Sequence, residues 1–392
     1  MSSNKLKRET RAIHHGVSAT NKRENSSPIF LNSSFNFATA EDAEAVFLNQ
    51  KEAYLYSRFS NPNTDELAHK IADLEGAESA ICVASGMSSV FNSLMPFLST
   101  GDHIVSSINI FGNSLNIIND FLPKWGIEFT LADFEELKNL ESLIQTNTKL
   151  LFIETPSNPS LRLFDIEALA RVCKQKNVLL IVDNCFATPF GQQPIKFGAD
   201  LVIHSATKFI DGQGRVLGGI IAGKKKWVDE CYNFLRRTGP SLSPFNAHLL
   251  SKSVETLGLR MEKHSSNALI LAQKLENHKK IKQVYYPGLP SHPDHHVFKK
   301  QMDLGGALIA FEIHGSKKEA MLLINSLSLF RITANLGDSR SIITHPASTT
   351  HSKLTLDELA AAGISGGLMR ISVGLEHADD LWDDLELALD KL

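Results

Sequence analysis

The stretch HSATKFIDGQG, residues 204–214, places a lysine among small and hydroxylated residues and follows it with glycines. Lys208 lies just past an apolar run, Ala199–His204, that reads as a buried strand. Its ammonium is badly placed for solvent and well placed to meet a phosphorylated electrophile. Ser205 and Thr207 are hydroxyl donors suited to phosphate oxygens. A lysine in a partly desolvated, electropositive site loses proton affinity and becomes nucleophilic. The ordinary alternative, a surface lysine snorkelling to water, fits these neighbours poorly.

Three further stretches offer partners. VLLIVDN, 178–184, ends an apolar run on Asp183, whose carboxylate should sit half buried at the carboxyl edge of a strand. Buried and unpartnered, it would take up a proton. Kept ionised, it implies a cation such as a protonated pyridine nitrogen; a helix N-cap would explain it as well. ASGMSS, 84–89, passes from strand to helix at Gly86 and Met87. Free N–H groups and the helix dipole there suit a phosphate, although small residues at such turns also serve sterics alone. ETPSNP, 154–159, sets Asn158 before a proline, extended or turned. From there it could reach a phenolate oxygen, or only make the turn.

The elements that must position these residues alternate. Helices are predicted over Asp65–Glu75, Met87–Leu98 and Ile166–Gln175. Strands are predicted over Ser79–Ala84, His103–Ser106, Leu150–Glu154, Val178–Asp183, Leu201–His204 and Gly218–Ala222. This order predicts an α/β fold: a mainly parallel sheet with helices on both faces and a ligand site at the strands' carboxyl ends. Residues 1–60 lack periodicity and read as an extended arm, and 61–255 form the large domain. TGPSLSPF, 238–245, breaks the pattern. Beyond it come a long helical stretch to about 278 and strands in GGALIAFEI, 305–313, and Leu368–Val373. Residues 256–392 therefore read as a smaller α+β domain.

The 392 residues are 43% hydrophobic and 21% charged with net charge −3, which gives no electrostatic case for nucleic acid or an anionic membrane. The cluster Lys224–Lys226 reads as a solvated helix start. Four scattered cysteines, Cys82, Cys173, Cys185 and Cys231, read as buried thiols rather than disulfides or metal ligands. No apolar run reaches the length of a membrane span, and MSSNKLKRETRAIHHG lacks an apolar leader core, so a reduced cytoplasmic protein is expected. His292, His295 and His296 lie in a Pro-rich loop without matching distant ligands, so no metal is expected. No G-x-G-x-x-G follows an early strand, which argues against a nicotinamide-dependent dehydrogenase.

Taken in order, these stretches resemble the fold-type I pyridoxal-phosphate enzymes, and within them the cysteine/methionine metabolism family. The resemblance covers nearly the whole chain. It includes YSRFSNPN (56–63), SGM (85–87), ETPSNP, VDNCFATP (182–189), HSATK, NLGDSRSIITHPASTTH (335–351) and RISVGLE (370–376). It implies that Lys208 is the catalytic lysine that links covalently to pyridoxal phosphate and serves as the base. It implies that Asp183 partners the pyridinium nitrogen. Ser205, Thr207 and the amides of Gly86 and Met87 hold the phosphate, Phe111 stacks on the ring, and Asn158 reaches the phenolate oxygen. Tyr56 and Arg58 match a pair that reaches the phosphate of a neighbouring subunit, so the arm is intersubunit and the protein a homotetramer of active dimers. Arg370, helped by groups around Asn335, matches the arginine that grips the α-carboxylate of an amino-acid substrate. His345 and His351 read as ordering a loop at the substrate mouth. A non-catalytic homologue would have lost Lys208 or Asp183, and both are present.

Departures narrow the subgroup. Family lyases carry a tyrosine in a Y-G-C-T-like stretch. Here Phe111 has no hydroxyl and Asn113 stands in place of the cysteine. Asp211-Gly212-Gln213-Gly214-Arg215 and NLGDSRS look most like the O-succinylhomoserine sulfhydrylases. The expected reaction is γ-replacement, O-succinyl-L-homoserine plus sulfide giving L-homocysteine and succinate. Arg215 or Arg340 is expected to read the distal carboxylate. Cystathionine γ-synthase is the nearest rival, then O-acetylhomoserine sulfhydrylase or a γ-lyase.

Overall fold

The computed structural model describes residues 6–392 apart from 18–19, 350–351, 353–354, 356–358 and 360–362. Seven strands form the large sheet: β1 Ser79–Val83, β2 His103–Ser107, β3 Glu128–Ala132, β4 Thr148–Glu154, β5 Leu179–Asp183, β6 Leu201–Ser205 and β7 Gly219–Gly223. Their order is β1-β7-β6-β5-β4-β2-β3. The ladders from β6 to β3 are parallel, as alternation with helices requires, and β7 runs antiparallel to β1 and β6. The reversal has a local cause: the stretch from β6 to β7 carries Lys208 but no crossover helix, so the chain turns straight back. Leu150–Ile153, Leu179–Val182 and Leu201–Ile203 are buried throughout, as expected of strands covered on both faces.

The helices that cover the sheet start and stop where their end residues dictate. Helix Pro62–Glu75 begins earlier than expected because Asn61 caps it in a reciprocal pair with Thr64 and Pro62 occupies its first turn; it ends at Gly76 in the left-handed region. Helix Gly86–Leu94 stops short of the expected Leu98 because Pro96 cannot continue it, and a single 3-10 turn, Met95–Phe97, follows. Helix Ile166–Lys176 is capped by Asp165 and buries Ile166, Leu169, Ala170 and Cys173 against β5 and its neighbours. Strand β3 escaped sequence reading because its EFTLA run is half exposed at the sheet edge and carries no clean alternation.

A second sheet orders its strands β10-β11-β12-β9-β8: β8 Ile281–Tyr285, β9 Leu308–Ile313, β10 Arg331–Ile332, β11 Ile342–Thr344 and β12 Leu368–Ser372. Apart from the β10–β11 pair it is antiparallel. The expected long helical stretch divides into Pro244–Val254 and Leu257–Glu276. The second of these bridges the two cores. Leu257 and Met261 join a core cluster drawn from both sheets, while Leu271 and Leu275 join the one on the small sheet.

The N-terminal stretch is not extended throughout. Arg8–His14 is a helix whose Ala12 enters the main core, with Arg8 paired to Asp303 and Arg11 to Asp73. Leu31, Phe47 and Leu48 remain 67%, 68% and 58% exposed. All four cysteines are free and buried. Lys224 and Lys225 at the helix start pair with Asp200 and Asp229. Among the described residues no three His, Cys, Asp or Glu side chains are grouped to hold a metal, and no helix is long and apolar enough to cross a membrane. His292 Nδ1 instead accepts the Asp294 N–H at 3.1 Å, ordering its own loop.

Candidate active site

A cavity of about 300 Å³ opens at the carboxyl ends of β4, β5 and β6. It brings together Gly86, Met87, Phe111, Asn158, Asp183, Ser205, Thr207, Lys208 and Arg370 from elements far apart in the chain. A larger cleft, about 800 Å³, lies around the opposite strand ends at Leu150, Leu179 and Asp200. None of the candidate residues lines it, so the chemistry belongs to the smaller cavity.

At the end of β5, Asp183 Oδ1 accepts the Cys185 N–H at 3.0 Å. The next helix, Thr188–Gly191, starts further on, so the carboxylate makes a local turn and caps no helix. Burial pushes this carboxyl up to about 6, opposed by the Cys185 N–H and by nearby His204. His204 Nε2 in turn lies 2.7 Å from Glu75 Oε1, with both side chains fully buried. At neutral pH Asp183 is thus an anion facing the cavity and in want of a cation.

Ser85 caps helix Gly86–Leu94 by accepting the Ser88 N–H at 3.2 Å. A Cβ on Gly86 would stand 2.5 Å from Ser205 Cβ, so only glycine lets the helix start approach β6. The glycine is therefore sterically required, and the same approach brings a helix N-terminus and the Ser205 side chain to one place. Thr207 also lines the cavity, but its hydroxyl is engaged by the Gly218 N–H at 3.2 Å and C=O at 3.3 Å. An anion bound there must share it.

Lys208 Nζ donates to Asn335 Oδ1 at 2.6 Å. Burial lowers its proton affinity, Cys185 opposes the shift, and the Arg370 charge adds to it. Gly337, two residues beyond Asn335, has φ +78°, and a Cβ there would meet Phe209 N at 2.6 Å and Lys208 C at 2.8 Å. The 335–337 turn therefore rests directly on the lysine's backbone. Gly337→Ala is expected to cost about 1–3 kcal/mol through the left-handed backbone alone, and to raise KM by displacing Asn335. Thermal unfolding and steady-state kinetics measure both; an unaltered melting temperature and KM would refute the contact.

Arg370, on β12, is 3% exposed. Its Nη1 donates to Asn158 Oδ1 at 2.7 Å, while its Nε is buried without a partner among the described residues. Burial lowers it to about 10, which leaves it cationic at neutral pH. A buried guanidinium with an unmet N–H is built for an incoming carboxylate. With its oxygen engaged, Asn158 has its amide NH2 left to offer an acceptor.

Tyr56 and Arg58, expected to serve a neighbouring subunit's site, stand outside this chain's own cavity. The Arg58 guanidinium lies over Phe59 at 4.7 Å and Tyr56 at 5.5 Å and donates to the Arg236 carbonyl. Arg215 is committed to buried Asp211, its Nε and Nη2 lying at 3.0 and 2.9 Å from Asp211 Oδ1, and it also donates to the Ser253 hydroxyl. His345 orders the turn after β11 through Ser348 Oγ at 2.8 Å and Gly366 O at 2.9 Å, away from the cavity. His351 lies outside the described residues. Among the cavity residues that went unread is Glu154, the last of β4, which accepts the Phe111 N–H at 2.7 Å. The signal lay in ETPSNP, read only for its asparagine.

A lysine of lowered proton affinity at a strand end, a dry carboxylate beside it, a helix N-terminus with hydroxyls, and a buried arginine with an unmet N–H fit pyridoxal phosphate and an amino acid. With this sheet they define a fold-type I pyridoxal-phosphate enzyme. The chain belongs to the family of Cys/Met metabolism PLP-dependent enzymes, whose model matches residues 9–390. It is 44% identical to an O-succinylhomoserine sulfhydrylase of Pseudomonas aeruginosa, over 98% of this chain and 95% of that one. It is 40% identical to an L-methionine gamma-lyase of Porphyromonas gingivalis, over 98% and 97%. A Campylobacter jejuni chain crystallised with N'-pyridoxyl-lysine-5'-monophosphate superposes with TM-score 0.94 at 38% identity, covering 98% of this chain and all of that one.

Proposed function

We propose that this chain catalyses γ-replacement on an activated homoserine, O-succinyl-L-homoserine plus sulfide giving L-homocysteine and succinate. The observation that carries the reading is Phe111. The cavity wall offers a ring and a backbone there but no hydroxyl acid, and Asn113 beside it offers no thiol. A leaving thiolate benefits from a proton at that point, whereas succinate departs as a stable carboxylate and needs none. The 44% identity to a protein named for this activity supports it, and the 40% identity to a γ-lyase keeps elimination as the second reading.

Bound pyridoxal phosphate would supply an electron sink adjoining the amino acid's Cα. Around it, Asp183 would hold the ring nitrogen's proton, and Gly86, Met87, Ser205 and Thr207 the phosphate. Arg370 would fix the α-carboxylate through two N–H groups. Lys208 Nζ would take the Cα proton, release it, and take a Cβ proton; the Cγ–O bond then breaks with succinate leaving, sulfide adds at Cγ, and protons return to Cβ and Cα. Arg215 is held by buried Asp211 at 2.9 Å, whereas Arg340 is 67% exposed and lies 4.0 Å from Asp338, so Arg340 is the less committed of the two cations for the distal carboxylate. The same reading makes the protein a cytoplasmic homotetramer in which Tyr56 and Arg58 serve a neighbouring phosphate; the exposed apolar side chains of Leu31, Phe47 and Leu48 support burial of the arm.

The test crosses O-succinyl- and O-acetyl-homoserine with sulfide and cysteine, and adds L-methionine alone. The expected result is the highest kcat/KM for the succinyl ester with sulfide. A higher value with cysteine would reassign the chain to cystathionine synthesis. Preference for the acetyl ester would overturn the leaving group, and rapid breakdown of methionine would make it a lyase.

A further inference from the structure

Glu154 and Asp183 end adjacent strands, and their Cα atoms are register partners in the β4–β5 ladder. Partners in a ladder share a face, so both carboxyls open on the same cavity. Glu154 is 4% exposed, and its Oε2 accepts the Phe111 N–H at 2.7 Å. The chemistry above occupies Asp183, Lys208 and Arg370 and leaves Glu154 without a task.

Two carboxylates side by side in dry surroundings do not both ionise near neutral pH. Burial and the Asp183 charge each raise the proton affinity of Glu154 well above that of an ordinary glutamate, while the Phe111 N–H and Arg370 oppose them. Asp183 rises less, because Cys185 and His204 favour its charge. At neutral pH the pair therefore divides its work: Asp183 carries the charge and Glu154 keeps its proton. A pyridinium cation on Asp183 offsets the part of this shift that comes from the Asp183 charge and leaves burial, the larger cause, to keep the proton on Glu154.

We propose that Glu154 is a positioning residue acting as a neutral carboxylic acid: it ties the Phe111 backbone to the end of β4, and its lack of charge leaves Arg370 free for the carboxylate of the substrate. An ionised Glu154 would pair with Arg370 and compete with that carboxylate. The inference rests on the pyridoxal-phosphate site and is independent of which ester or thiol reacts.

Infrared spectra of the holoenzyme at neutral pH decide the protonation. The wild-type minus Glu154→Gln difference should show the C=O stretch of a protonated carboxylic acid, present in wild type and absent from the variant. A difference with carboxylate bands alone would overturn the proposal. Cofactor titration of apo-protein tests the tie. Glu154→Ala should weaken pyridoxal phosphate about tenfold, the loss of one buried hydrogen bond, and Glu154→Gln, which keeps an acceptor oxygen, should recover most of that loss. Glutamine as weak as alanine would also overturn it. If the alanine variant does not fold, the infrared comparison still decides. A wild type that takes up no pyridoxal phosphate would refute the cofactor reading instead, and the same spectra on the free protein would still report on Glu154.

Discussion

Replacing Lys208 by alanine is expected to stop turnover while leaving a folded protein. The lysine is both the covalent anchor for an aldehyde and the base that moves protons at Cα and Cβ. Proton transfer by a positioned side chain accounts for about 10²–10⁴ in rate on its own. Losing the anchor as well should take the rate to the limit of measurement. The fold should survive because, among the described residues, the side chain hydrogen-bonds only Asn335, and removing a partly buried amine relieves a desolvation cost. Circular dichroism and melting temperature check the fold. Borohydride, which fixes pyridoxal phosphate onto wild type, should fix none onto the variant. A folded Lys208→Ala protein with near-native kcat would end the assignment of this lysine.

Much of this site is legible in the sequence, for a definite reason. Asp183 stands directly after the apolar run Val178–Val182, and Ser205 and Lys208 follow within a few residues of Leu201–Ile203; such runs read as central strands and fix which end the polar residues occupy. What escaped was what only pairing creates. Arg370 meets Asn158 across 212 residues, a closure no local pattern announces. Glu154 is meaningful only beside Asp183, and that neighbour is set by the β4–β5 register. Arg215 shows the opposite error: a cation that looked available was already matched by Asp211 four residues earlier. Helix ends missed by a turn at Pro62 and Pro96 trace to one ambiguity, since proline opens a helix as readily as it closes one.

Asp183→Asn should retain some pyridoxal phosphate yet lose on the order of 10²–10³ in rate, the usual cost of removing a preorganised charge from a reacting system. An asparagine amide can accept a hydrogen bond but cannot hold a proton on the pyridine nitrogen, so the ring withdraws electrons poorly. The pH dependence separates this charge from mere shape. In the free protein the Asp183 carboxyl is raised from 3.8 to about 6 by burial. The folded chain therefore binds a proton that the unfolded chain releases. The stability this group contributes is complete below 3.8 and is lost as pH rises through about 6. Cofactor binding has the opposite slope, because a pyridinium needs the anion: wild-type affinity should fall as pH drops through about 6. Titrations of the cofactor's own groups and of Lys208 are common to both proteins, so the difference between wild type and Asp183→Asn isolates the carboxylate. An inflection near pH 6 that persists in the variant, or a variant with wild-type kcat, would reduce Asp183 to a turn-forming residue.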